Sequence, residues 1–324
     1  MKRSSFVLIF GTLFWIASAA ICAFPQQDQS KGILPPEYLK KRPAIAEAMG
    51  AASMSDSGAV RQVVTYRPRK TTSTRGATNS KRRGTKAAKN TERAILGFTI
   101  WRVAKAVSTE QSKGLVEEDP RTGDRQQLDR VSSESPLILG DKVRIGIESL
   151  THRGYLYVID REKFADGSYG PAMLIFPTLS MRDGNNLVEP GRVTFIPGQG
   201  RQFTVKRNSQ QDQVADELIV IVSPKPLIDR SRLSDKPMEL TANQTIEWMT
   251  SWGVGDVRID DQVGGVGKPL TKAENDAGVD QGKGLWEEAP KLSQFDAAPQ
   301  TTYQMTIIRG NPMMTRITLP IKPE

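Results

Sequence analysis

Between residues 96 and 226 the chain alternates short apolar runs with turn residues. Val143, Ile145 and Ile147 are interleaved with Lys142, Arg144, Gly146 and Glu148. This period of two places branched side chains on one face of a strand and the polar set on the other. Thr151-His152-Arg153-Gly154 then turns the chain into Tyr155-Leu156-Tyr157-Val158-Ile159-Asp160, where both alternating sets are apolar. A strand of that kind is expected to be covered on both faces, as an inner strand is.

Further strands are expected at residues 96–103, rich in aromatic and β-branched types, and at residues 173–176, stopped by Pro177. Others are expected at residues 192–196, 202–206 and 218–222, the last an unbroken run of Leu218-Ile219-Val220-Ile221-Val222. Asp166-Gly167, Asp183-Gly184 and Pro197-Gly198 separate them. Residues 108–135 carry few apolar positions and read as a long polar loop. Beyond Pro226 the spacing becomes helical from residue 240 to residue 252, with Thr241 as N-cap and Gly253 as terminator. Thr271-Lys272-Ala273-Glu274 has the form of a capping box and opens a second short helix. Residues 303–308 and 315–321, joined through Gly310-Asn311-Pro312, read as a closing hairpin that completes a sheet begun earlier. The expected fold is mainly β: an antiparallel β-sandwich or partly open barrel with one or two short helices. It spans residues 95–324, with a Gly-rich insertion at about 229–300.

The first 94 residues have a different texture. Residues 6–22 are apolar, preceded by Lys2 and Arg3 and followed by Ala23 and Pro25, the layout of a secretory signal peptide. Residues 1–23 are therefore read as that signal, with a retained N-terminal anchor if it is not cleaved, and the protein as periplasmic or extracellular. Cys22 is the only cysteine, so disulfides and thiol chemistry are not expected after cleavage. Residues 24–94 are read as a disordered, basic linker with little to bury. From Arg61 to Arg93 there are 11 Lys or Arg against Glu92, a local balance of +10. The overall +9, less that +10 and the +2 of residues 1–60, leaves −3 for residues 94–324. The basic character thus belongs to the linker. Arg67, Arg69, Lys70, Arg75, Lys81, Arg82, Arg83, Lys86 and Lys89 are the candidate residues for contact with anionic lipid or polymer. Nucleic acid is disfavoured as the partner, because only Tyr66 lies among them to stack on a base and export removes the intracellular pool.

Several segments occur in an order that resembles a known bacterial family. They are Leu96-Gly97-Phe98-Thr99-Ile100-Trp101-Arg102, Leu139-Gly140-Asp141-Lys142-Val143-Arg144-Ile145, Gly154-Tyr155-Leu156-Tyr157-Val158, Leu174-Ile175-Phe176-Pro177, Pro190-Gly191-Arg192 and Ile196-Pro197. Together they resemble the bacterial domain of unknown function numbered four-three-eight-four, over roughly residues 96–226. The resemblance implies an exported, β-rich accessory domain and supplies no catalytic residues. The insertion at 229–300 is not part of that pattern.

Catalytic groupings are sparse. His152 is the single histidine, and no nucleophile elbow surrounds Ser149, its nearest serine. A zinc site lacks ligands. Asp160 and Glu162 share one strand face, with Asp166 in the following turn, as a glycan hydrolase would need. The spacing does not match a calcium loop, and a solvated strand end is the competing reading. Gly267-Lys268 is followed by Pro269 where a phosphate loop needs Ser or Thr, and Gly253-Val254-Gly255 lacks a third glycine and a preceding strand. Both are read as flexible loop. The functional expectation is a non-catalytic accessory or protein-interaction domain of the bacterial cell envelope, without a cofactor and with a protein partner. Tethering to an anionic surface through the basic arm is the alternative, and a carboxylate-dependent glycan hydrolase is the third reading.

Overall fold

The structure is a computed structural model and describes residues 39–43, 90–106, 115–118, 122–206, 212–252, 256–260, 265–278 and 290–322. The segment read as a signal, residues 1–23, and the nine candidate basic-arm residues lie outside the described residues. Among those described, the strands are β1 (Thr91–Lys105), β2 (Val116–Glu118), β3 (Arg125–Arg130), β4 (Lys142–Ser149), β5 (Gly154–Phe164), β6 (Met173–Phe176) and β7 (Leu187–Val188). They continue with β8 (Thr194–Ile196), β9 (Phe203–Thr204), β10 (Gln213–Ser223), β11 (Met238–Glu239), β12 (Asp256–Asp260), β13 (Thr301–Ile308) and β14 (Met313–Pro320). Two α-helices are described, α1 (Ala242–Trp252) and α2 (Lys272–Ala277).

The strands form two antiparallel sheets. The first is organised around β1. Along one edge β1 pairs with β4, and along the other it pairs with β13 over its first half and with β3 over its second. The second sheet runs β11-β6-β5-β10-β14, with β7 also on β5. Their facing sides form the main core: Leu96, Phe98 and Ile100 of β1 and Val143, Ile145 and Ile147 of β4 against Leu156 and Val158 of β5 and Leu218, Val220 and Val222 of β10. The alternation read for β4 and β5 thus sets the interior. As an inner strand, β5 lies between β6 and β10, and its other face, Tyr157 and Ile159, is buried beneath Ile228, Leu233, Leu240 and Trp248.

The insertion covers both outer faces. Helix α1 lies over the second sheet, with Trp248 buried and stacked on Trp252 at 5.7 Å between ring centroids. The Thr241 hydroxyl accepts from the Gln244 N–H at 3.3 Å, as an N-cap does. Helix α2 opens with the complete Thr271/Glu274 capping box and joins Leu270, Ala277 and Leu292 over Trp101 and Phe195 of the first sheet.

Five expectations need correction. Residues 108–135 contain a hairpin, β2 paired with β3; its Gln and Asp side chains hide it from any apolar count, since only the backbone pairing defines it. Gly267-Lys268 is not a flexible loop: the Gly267 N–H donates to Arg130 O and the Arg130 N–H to Lys268 O, because β3 needs a partner along its outer edge. The last two strands are not a hairpin within one sheet. After Ile308 the chain crosses from the first sheet to the second, so β13 pairs with β1 and β14 with β10. Strand β1 starts at Thr91, ahead of the residue 95 expected for the domain, as backbone pairing with β13 carries polar residues into it. Finally, the stretch read as linker includes Leu39–Pro43, which packs on the domain through a buried Arg42.

Candidate functional site

A cleft of about 470 Å³ opens on the outer side of the second sheet, beyond the area that α1 covers. Tyr155 and Tyr157 form its floor because odd positions of β5 face outward. Pro177, at a cis Phe176–Pro177 bond, and Pro226 wall it, and Asn185, Asn186, Ile228, Asp229, Arg230 and Leu233 complete the lining. Both prolines stand just past the ends of strands, where a missing N–H leaves no ladder bond unmade.

Polar groups at the cleft are held in place. The Tyr157 hydroxyl accepts from the Leu227 N–H at 2.9 Å, and the phenol proton has no acceptor among the described residues. Asn186 donates through Nδ2 to Leu156 O at 2.8 Å, while Leu156 N–H donates to Asn186 O at 2.8 Å. Asp229 accepts from both the backbone and the hydroxyl of Ser231 at 2.9 Å. Those bonds hold its carboxyl below the usual range, the backbone donor foremost. The exposed Arg230 guanidinium makes no hydrogen bond or ion pair among the described residues. Gly184, also in the lining, ends a left-handed run of Arg182, Asp183 and Gly184 with φ of 53°, 52° and 76°. The two non-glycine residues there each cost about 1–2 kcal/mol, and such strain is held at binding sites more often than elsewhere. The cleft therefore offers an apolar, ring-lined floor and donors at its edge, with one carboxylate, Asp229.

The sequence candidates fall elsewhere. Asp160 and Glu162 share a face of β5, but that face points into the sandwich at its end, where Glu162 opposes Asp216 and Asp160 opposes Leu218 across the strand pair. Asp160 Oδ1 and Glu162 Oε1 are shielded from water with no hydrogen-bond partner, as is Oε1 of Gln213, whose Nε2 donates to Asp216 at 2.6 Å. Burial, then the charges of Asp216 and Glu162, pushes the Asp160 carboxyl up to about 8. Burial pushes Asp216 up to about 6. The expected solvated strand end is thus corrected to a half-buried carboxylate cluster in which single oxygens of Asp160 and Glu162 are shielded from water. Asp166 is separate, fully exposed and bonded to Ser168. The Ser149 hydroxyl donates to the backbone carbonyl of His152, not to its ring. The ring instead meets Thr151 Oγ1 at 2.6 Å and lies 3.4 Å from Glu92.

The chain matches no family model, no curated protein and no solved structure. The resemblance to domain four-three-eight-four therefore rests on the quoted segments alone. Among the described residues no helix is long and apolar enough to cross a membrane, and no cluster of three His, Cys, Asp or Glu is placed to hold a metal ion. Sequence reasoning missed Arg230, Asn185 and the left-handed run. The signal for the cleft was present in Tyr155 and Tyr157 at outward positions, with Pro177 and Pro226 following the strands beside them.

Proposed function

We propose that this is an exported, non-catalytic interaction domain of the bacterial cell envelope, and that the Tyr155–Tyr157 cleft receives an extended segment of a partner protein. The observation that carries the reading is the cleft's composition: rings and prolines on the floor and walls, with the exposed Arg230 guanidinium, unpaired among the described residues, as the donor at its edge. An extended segment supplies what these lack, an apolar side chain for the floor and backbone or carboxylate oxygens for the donor. Its volume suits one or two side chains. Among the described residues the cleft brings together no nucleophile and base, and the half-buried, raised carboxyls of Asp160 and Asp216 lie on the other face of the sheet.

The test is recovery of a binding partner from the native envelope fraction by the intact chain, compared with Tyr155→Ala and Arg230→Ala. The partner should be retained by the native chain and lost from both variants while their melting temperatures stay within a few degrees. Equal recovery by both variants refutes the cleft as the site. Hydrolysis of envelope glycans by the purified protein, abolished by Asp160→Ala, would replace the reading with the hydrolase one.

A further inference from the structure

On the opposite outer side, that of the first sheet, a guanidinium socket is filled by a segment of the same chain. Arg42 is 2% exposed while Lys40 and Lys41 before it are exposed, so one side chain carries the attachment. Its Nε donates to Glu148 Oε1 at 2.7 Å and its Nη2 to Glu148 Oε2 at 2.6 Å, a bidentate pair. Nη1 reaches the carbonyls of Ser293, Asp296 and Ala297 at 3.3, 3.2 and 3.2 Å, and Nη2 also reaches Ala297 O at 3.2 Å. Those carbonyls converge because the Asp296 carboxylate closes the loop, accepting from the Ser293 N–H at 2.6 Å and its hydroxyl at 2.8 Å.

The socket is built for the ligand on its other sides too. Glu148 is 3% exposed and accepts from the Gly191 N–H at 3.2 Å, which fixes the carboxylate plane. Gly191 has φ of 83°, and a Cβ there would stand 3.0 Å from Pro43 Cδ, so the residue after the arginine is accommodated as well. Gln294 Nε2 donates to Arg42 O at 3.2 Å. A lysine has one compact charge with three donors and cannot reproduce a planar fork whose two edges face a carboxylate and a set of carbonyls.

We propose that Glu148, Gly191 and the 293–297 loop form a binding site for an arginine-proline segment, and that Leu39–Pro43 is its ligand, held in cis and exchangeable for the same segment supplied in trans. Within Leu39–Pro43 the side-chain hydrogen bonds to the domain all come from Arg42. A ligand anchored mainly through one side chain, with only the Gln294 amide on Lys40 O at 3.4 Å and Arg42 O at 3.2 Å beside it, is released when that side chain is lost and returns as an intramolecular partner at high effective concentration.

The experiment uses the full chain and a fluorescent synthetic peptide of residues 36–46, read by anisotropy. Full-length Arg42→Ala should bind the peptide saturably, and the native chain at least tenfold more weakly, since its site is occupied. Replacing the peptide's arginine by lysine, or Glu148 by Gln in the Arg42→Ala chain, should remove the binding. No binding by a folded Arg42→Ala chain, or equal binding of a peptide with alanine at the arginine, overturns the proposal. If Arg42→Ala does not fold, a protease site inserted after Gly58 of the native chain replaces it. After cleavage, excess peptide should displace the N-terminal fragment, and a fragment that cannot be displaced overturns exchange. A dimer by light scattering, broken by the peptide, would assign the segment to a second copy and overturn the assignment in cis.

Discussion

The two sheets bury their outer faces by different chemistry. Over most of the second sheet, Tyr157, Ile159, Leu174, Ile219 and Ile221 meet Ile228, Leu233, Leu240 and Trp248, an apolar cover on an apolar face, with a single ion pair, Arg161 to Glu217 beneath Tyr169, at its end. Over the first, Arg42, Arg130, Arg144 and Arg192 are at most 2% exposed. Arg130 lies 2.5 Å from Glu274 and Arg144 lies 2.7 Å from Glu117. Trp101 and Phe195 pack edge to face at 5.6 Å among these guanidinium groups, with Arg130 6.0 Å from the Trp101 ring and Arg144 5.4 Å from that of Phe195. An apolar cover is held by area and tolerates changes of shape. A charged cover depends on each partner, because a buried charge that loses its counterpart keeps its desolvation cost. The first sheet's cover is therefore the more specific of the two and the more easily broken.

The sharpest way to break this contrast is Arg130→Met. It leaves Glu274 buried and should cost about 3–5 kcal/mol in urea unfolding, whereas a cost below about 1 kcal/mol would mean that the ion pairs do not hold the cover. On the apolar side, Ile221→Ala should cost about 2–5 kcal/mol and Ile221→Leu less than about 1.5 kcal/mol. Arg130→Lys should exceed the latter, since the lysine loses the fork geometry. A third measurement follows unfolding against pH. The folded Asp160 carboxyl, raised to about 8 from a usual 3.8, holds a proton that the unfolded chain has released between those values. The folded state then binds more protons, so stability should fall as pH rises from about 4 towards 8. Asp160→Asn should flatten that fall and stabilise the protein most at the alkaline end, and an unchanged profile would remove Asp160 as its source. The smallest effect is expected at the cleft, where Arg230→Ala should shift stability by no more than about 0.5 kcal/mol while abolishing partner recovery.

The sandwich was legible because its interior obeys a period of two. Val143, Ile145 and Ile147 identified one wall, and Tyr155 to Ile159 announced a strand covered twice. The same period classed Arg144 and Glu148 as polar without revealing their burial, since their partners Glu117 and Arg42 are far away in the chain and no local pattern joins them. Gly146 belonged to that polar set too; it is a glycine because a Cβ would stand 2.5 Å from the Trp101 ring. Strands β2 and β3 escaped notice for a related reason: Gln126, Gln127 and Asp129 carry no alternation, and Leu128 alone in β3 is a buried apolar residue. The cleft was hidden because tyrosine and proline serve packing and turns as readily as binding. Only the fold shows which of them border an opening.

One consequence concerns the order in which the chain is made. Thr91 pairs with Ile308 and Phe98 with Thr301, so the first strand of the domain waits for one of the last to be synthesised. Until residue 308 has emerged, half of one edge of β1 has no partner, although β3 and β4 are already at hand. Contacts of such long sequence separation slow folding, and an unpaired apolar edge invites association with other chains. β1 therefore completes its pairing only once residue 308 has been made, and the interval before that is when this edge most needs protection.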